Sequence, residues 1–213
     1  MRPRKTRVLL ADDHAVMRDG LRMLLDTAPD FEVVDAVADG RQAVRQARAL
    51  KPDVVIMDLG MPELNGVEAT RLLAERDPEV KVIILSMHSS TEHVHRALAA
   101  GAAGYVLKEA AAVEVLDAVR SVQVGRRYLS ASLRDAAPTD ARPASPIDSL
   151  SSRERQVLQL VAEGRSSVEI ADIVHLSPKT VETYRSRLMR KLDLEDVPAL
   201  VKFALQHGLI HFD

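Results

Sequence analysis

Apolar residues along the first part of the chain come in short unbroken runs, each stopping at a polar or charged residue. Val8-Leu9-Leu10-Ala11 meets Asp12 and Asp13, and Val54-Val55-Ile56-Met57 meets Asp58. Val82-Ile83-Ile84-Leu85 meets Ser86, and Gly104-Tyr105-Val106-Leu107 meets Lys108. Uninterrupted runs of strand length predict strands covered on both faces, as in a parallel sheet clad by helices. Phe31 to Ala38, with Val33, Val34 and Val37, supplies a fifth strand. Between the runs the apolar spacing turns helical: Val16, Leu21, Leu24, Leu25 and Ala28 after the first, then an Ala- and Arg-rich stretch from Gly40 to Leu50 that Pro52 ends. Asn65 with Glu68, and Ser89 with Glu92, have the spacing of capping boxes and open two further helices, the first to about Asp77. Val113, Leu116 and Val119 mark a last one. Strands alternating with helices in this way predict a doubly wound, five-stranded parallel α/β sheet with right-handed crossovers.

The pattern stops between Ser130 and Ile147. Ala, Pro, Ser and Asp dominate there, with Pro138, Pro143 and Pro146, so the segment reads as a flexible linker partly extended by its prolines. Beyond it no strand pattern returns. Ser151 with Glu154 opens a helix through Val157, Leu158 and Val161 that Gly164 closes, and Ser166 with Glu169 opens a short one through Ile170, Ile173 and Val174. Ser177-Pro178 supplies the N-cap and first-turn proline of a third, with Val181, Tyr184, Leu188 and Leu192 on one face. A fourth runs from Val197 to His207, with Gly208 beyond it. Four helices with a tight turn between the middle pair predict an all-α helix-turn-helix domain. The chain thus divides into residues 1–129, a linker at 130–147 and a second domain at 148–213.

Composition narrows the chemistry. The 213 residues carry a net charge of -2 and no cysteine, which excludes disulfides, thiolate metal sites and cysteine nucleophiles and fits a reducing cytoplasm. No apolar run approaches the roughly 20 residues of a membrane span. With so little net charge, any nucleic-acid site has to be a local patch. One exists: Lys179, Arg185, Arg187, Arg190 and Lys191 crowd the third helix of the second domain against a single Glu182.

In a parallel sheet the strand ends carry Asp12, Asp13, Asp58, Ser86 and Lys108 to one edge, where open α/β sheets hold ligands. Taken singly the residues have ordinary explanations: Asp58 as a turn former, Asp12-Asp13 as a cap on the first helix, Lys108 as a solvated lysine. Asp13 is expected to cap that helix in any case. Together they are harder to dismiss. Three neighbouring carboxylates resist ionising together unless a cation joins them, and oxygen ligands in a cleft suit Mg²⁺. A metal and a fixed lysine beside a carboxylate suit phosphoryl transfer, with Asp58 the natural nucleophile. His14, His88, His93 and His95 lie near the same edge in sequence but are expected to be surface residues, not a zinc site.

Asp12-Asp13, Asp58 with Met61-Pro62, Ser86 and Gly104-Tyr105-Val106-Leu107-Lys108-Glu109 resemble the receiver domain of two-component response regulators, over roughly residues 6–125. The resemblance implies a flavodoxin-like fold and a phosphoryl group accepted by Asp58 from a sensor histidine kinase. It implies Mg²⁺ held by Asp13, Asp58 and the Gly60 carbonyl, with Asp12 acting through water. Ser86 and Lys108 would hold the phosphoryl group, and Tyr105 would swing inward on activation. Glu109 departs from the proline common after that lysine, which leaves the Lys108-Glu109 peptide open.

Residues 148–213, through Ser151-x-x-Glu154, Ile170-Ala171 and Lys179-Thr180-Val181-Glu182, resemble the LuxR-type domain of the NarL/FixJ family. That implies double-stranded DNA as a partner. Glu182, Thr183 and Ser186 would read bases, while Lys179, Thr180, Arg187, Arg190 and Lys191 would hold phosphates. The fourth helix would help form a homodimer on activation. The reading is a phosphorylation-controlled DNA-binding transcriptional regulator, not an enzyme beyond accepting and slowly losing its own phosphoryl group. Two rivals are a free-standing Mg²⁺ phosphatase, which lacks a general acid beside Asp58, and a constitutive DNA-binding protein with a vestigial receiver. In the unphosphorylated state the two domains are expected to fold back on each other and hide the third helix.

Overall fold

The structure, a computed structural model, describes residues 4–134 and 145–210. Strands β1 (Thr6–Ala11), β2 (Phe31–Val37), β3 (Val54–Asp58), β4 (Lys81–Ser86) and β5 (Gly104–Leu107) form one parallel sheet. A two-residue sixth strand, β6 (Tyr128–Leu129), adds itself in parallel to Gly104 and Tyr105, giving the order β2-β1-β3-β4-β5-β6. That strand is a correction to the five expected. It has no apolar pattern of its own and is held by its pairing with β5.

Every residue of β3 is buried, as its unbroken apolar run requires. Helices α1 (Ala15–Asp26) and α5 (Ala111–Gln123) cover one face through Leu21, Leu25, Val115 and Val119. Helices α2 (Gly40–Leu50), α3 (Gly66–Arg76) and α4 (Thr91–Ala99) cover the other through Val44, Val67, Leu73, Val94 and Ala97. In this strand order the chain reverses direction across the sheet between β1 and β3. The crevice at such a switch point is where doubly wound sheets place their ligands, and Asp12, Asp13 and Asp58 stand there. Gly66 starts α3 hard against β3: a Cβ there would collide with the Asp58 carbonyl, so only glycine lets the helix close on the strand end.

Helix starts were only partly legible. The N-cap of α4 is Ser90, not Ser89. Helix α1 has no side-chain cap at all; its N-cap position is His14, and Asp13 does not cap it. Asn65 caps α3 by accepting from the Glu68 amide, but the Glu68 carboxylate does not return the bond and goes elsewhere.

The second unit contains α6 (Ser152–Ala162), α7 (Ser167–Val174), α8 (Pro178–Leu192) and α9 (Val197–Gln206) around Leu158, Ile170, Val181, Leu188 and Leu200. The capping boxes at Ser151/Glu154 and Ser166/Glu169 and the cap at Ser177 form as their spacing predicts. The segment expected to be a linker is packed at both ends. Ser130 is buried and its hydroxyl accepts from the Leu107 amide, Leu133 joins the core on one face of the sheet, and Ile147 is buried in the second core. Its middle, 135–144, lies outside the described residues.

Candidate functional site

Asp12 and Asp58 are buried at the carboxyl edge, 1% and 4% exposed, and Asp13 lies beside them half-exposed. Lys108 reaches across from the end of β5 and clamps both buried carboxylates, its Nζ 2.9 Å from Asp12 Oδ2 and 3.0 Å from Asp58 Oδ1. Burial works against the lysine's charge, but Asp58 and Asp12 more than offset it and hold the ammonium above its ordinary range. Asp58 goes the other way. Burial first, and then the Asp12 charge, push its carboxyl up to about 6 despite Lys108. The site therefore holds more negative charge than one lysine can neutralise.

The cluster fits a small hard cation. One ligand atom from each of Asp12, Asp13, His14 and Asp58 lies within 4.8 Å of the others. Asp12 Oδ2 and Asp13 Oδ1 are inaccessible to water and accept no well-directed hydrogen bond, although Lys108 Nζ and His14 Nδ1 stand 2.9 and 2.8 Å away. His14 was expected at the surface and is exposed. Its ring is mostly exposed, yet it turns onto the carboxylate pair.

Gly60 and Ser86 line the same opening, a cavity of about 430 Å³ that also reaches Met61, His88, Glu163 and Ile210. Ser86 Oγ accepts from the His88 amide at 3.0 Å. Tyr105 is fully buried and already points inward, its hydroxyl donating to the His88 carbonyl at 2.7 Å. No cis peptide is found among the described residues, so the Lys108-Glu109 bond is trans. His88 and His93 stack with ring centres 4.5 Å apart, and His93 and His95 are half-buried, where surface positions were expected.

The second unit closes over this edge. Gln159, fully buried in α6, accepts from the Asn65 amide at 2.9 Å and donates to the Met61 carbonyl at 2.9 Å. Glu163 accepts from the Glu63 amide at 3.1 Å, and burial raises its carboxyl above the ordinary range. Glu68 accepts from Arg155 Nε at 2.5 Å and from the Ser152 hydroxyl at 2.7 Å. Sequence reasoning found none of these contacts, because each joins positions 84 to 100 residues apart.

The fold-back was expected to hide α8. The contacts instead come from α6 and from the turn after α9, where Arg96 donates to the His207 carbonyl. On α8, Lys179, Glu182, Thr183, Ser186, Arg187, Arg190 and Lys191 are exposed and Thr180 is half-buried. Val181 and Leu188 bury against the other helices, with Tyr184 and Leu192 partly buried beside them. Two basic residues of α8 bind within the domain: Arg185 donates to the Ser167 hydroxyl, and Lys191 pairs with Glu154 at 2.9 Å.

Residues 8–120 match the response regulator receiver domain, and residues 148–204 match the luxR family of bacterial regulatory proteins. The chain is a response regulator. The response regulator UvrY of Escherichia coli is 40% identical over 206 residues, covering 95% of this chain and 94% of that protein. The oxygen regulatory protein NreC of Staphylococcus haemolyticus is 39% identical over 216 residues, covering 97% and 100%. Among solved structures, the Salmonella typhimurium RcsB response regulator overlays with a TM-score of 0.59 at 28% identity, covering 94% of this chain and 98% of that one. A two-component response regulator RcsB–DNA complex matches with a TM-score of 0.59 at 28% identity, covering 93% and 97%. This response regulator carries a LuxR-type DNA-binding domain behind its receiver, and among its described residues no helix is long and apolar enough to cross a membrane.

Proposed function

We propose that Asp58 accepts a phosphoryl group from a sensor histidine kinase and that this acceptance controls DNA binding by α8. The observation that carries the reading is the convergence of Asp12, Asp58 and Lys108 within 3.0 Å contacts at the switch point of the sheet. Mg²⁺, held by Asp12, Asp13, Asp58 and the Gly60 carbonyl, would supply the charge neutralisation that lets an anionic phosphorus centre approach a carboxylate. Lys108 supplies the second positive charge, Ser86 a hydroxyl to the arriving oxygens, and Asp58 the nucleophile. The protein acts in the cytoplasm, and its only chemistry is on itself.

Residues 1–129 serve as receiver and 148–213 as the DNA-binding unit. Coupling between them runs through the shared opening. Phosphorylation replaces the single negative charge of ionised Asp58 by about two on the phosphoryl oxygens, in a space that Glu163, the C-cap of α6, already lines. Like charges in a partly buried site repel, so phosphorylation loosens α6 from the Met61–Asn65 loop and shifts the population away from the docked arrangement. Release lets two receivers pair and brings two α8 helices onto one DNA as a homodimer.

Exposed Lys179, Arg187 and Arg190 and half-buried Thr180 suit phosphates, and Glu182, Thr183 and Ser186 suit base edges. Lys191, held by Glu154, is the weakest of the phosphate candidates. Lys179→Ala or Arg190→Ala is expected to weaken binding to all sequences and reduce the salt slope by about 1, while changing Thr183 or Ser186 alters the preferred sequence. Titrations at several salt concentrations check this. A Lys179→Ala protein with altered preference and an unchanged salt slope would reverse the roles.

A further inference from the structure

On the flank where α2 and α3 meet α6 and α7 lies a second cavity, of about 410 Å³. Arg41 of α2, Arg76 of α3 and Arg153 of α6 line it, with His175 at the end of α7 and the apolar side chains of Val44 and Leu72. No carboxylate lines it among the described residues. Guanidinium groups from three helices, drawn from both halves of the chain, thus share one space with no counter-ion in its wall.

Arg41 shows the consequence. Burial above all, with the Arg153 charge adding to it, holds its guanidinium below the ordinary arginine range; Glu63, Asp39 and Glu163 pull the other way from outside the cavity. Its Nε and Nη2 are inaccessible to water and donate no hydrogen bond, and Glu63 Oε2, at 3.7 Å from Nε, is too far to accept one. Buried charged donors without acceptors are costly, and their usual explanation is a missing ion or water. The basic lining also continues. An adjoining groove shares Arg41 and Val44 and adds Arg45 and Arg48 on the next turns of α2, neither of which makes an ion pair among the described residues. In a chain of net charge -2, five arginines along one cleft are a local concentration.

We infer that this cleft binds a phosphorylated small molecule of nucleoside diphosphate size. Planar guanidinium forks match phosphate oxygens bidentately, and Val44 and Leu72 offer an apolar wall to a base. The cavity is in the range that small ligands fill. Because the walls come from both halves, the ligand binds the docked arrangement and by linkage holds the halves together.

Calorimetric titration of the full chain in EDTA, with inorganic pyrophosphate and separately with GDP, tests the site; the chelator keeps phosphates from reaching the acidic edge through a metal. Saturable binding of one equivalent is expected, tighter for GDP, and at least tenfold weaker for Arg41→Gln/Arg153→Gln. Arg76→Gln, an exposed position that leaves the fold alone, should weaken it several-fold. Arg187→Gln/Arg190→Gln on α8 should bind both probes as the parent does. The inference is overturned if neither probe binds at millimolar concentration, or if the loss follows the α8 variant and not the cleft variants. It is equally overturned if the cleft variants keep pyrophosphate but lose DNA, which would make these arginines part of the DNA surface.

Discussion

Asp58→Asn is expected to take up no phosphoryl group from a small acyl phosphate and Mg²⁺, while the parent gains one, read by intact mass. The loss should be complete because no neighbour can substitute. Asp12 spends one oxygen on Lys108 and the other on the His14 amide, and Asp13 is turned to His14. The same substitution carries a stability signature of opposite sign. The Asp58 carboxyl stands at about 6 in the fold against 3.8 ordinarily, so between those values the folded state binds the proton more tightly than the unfolded chain. Stability from this group is therefore fully present below about pH 4 and is lost as pH rises through 6, by roughly 1–3 kcal/mol. Asparagine keeps the shape without the charge. In EDTA at neutral pH, Asp58→Asn should thus unfold at higher temperature than the parent, and the gap should close on acidification. Equal labelling of the variant, or a lower unfolding temperature, would contradict the assignment.

Glu68→Gln is expected to undock the two halves. Glu68 is 1% exposed and Arg155 9%, and the pair joins α3 to α6 across the interface. Removing one charge leaves the other buried without a counter-charge, a cost of about 3 kcal/mol that falls on the docked state alone, since the released Arg155 meets water. That is roughly a 100-fold shift in the docking equilibrium. Small-angle scattering should show a larger radius of gyration than the parent, and acyl phosphate should label Asp58 faster, because Glu163 and Ile210 no longer line the opening. An unchanged radius would mean that this ion pair does not hold the halves together.

The features legible in the sequence were those whose causes are local. Each strand end was marked by an apolar run stopping at Asp12, Asp58, Ser86 or Lys108, and parallel topology alone carries such ends to one edge. The boxes at Ser151/Glu154 and Ser166/Glu169 were legible for the same reason, since cap and amide are three residues apart. Where a side chain had a distant partner, local reading failed. Glu68 has capping-box spacing, but Arg155 competes for its carboxylate and wins because a buried charge-assisted bond outweighs one to an amide. Gln159 carries no signal at all until α6 meets the Asn65 loop. Strand β6 exists because β5 offers it an edge. Lys191 shares the sequence pattern of its basic neighbours on α8, but Glu154, 37 residues away, holds it. Arg41, Arg45 and Arg48 read only as part of a helix-forming stretch; the cleft that sets Arg41 beside Arg153 required the second unit in place.

The central claim is that one phosphoryl group at Asp58 governs DNA binding through a docked α6 while α8 stays outward. The most direct measurement titrates a DNA duplex, selected from a random pool, with parent and Asp58→Asn proteins before and after acyl phosphate treatment, while sedimentation follows their mass. Phosphorylated parent should bind more tightly and become dimeric together, and Asp58→Asn should do neither. Binding that is already tight and dimeric in the untreated parent, and indifferent to phosphorylation, would contradict the account and favour a constitutive DNA-binding protein.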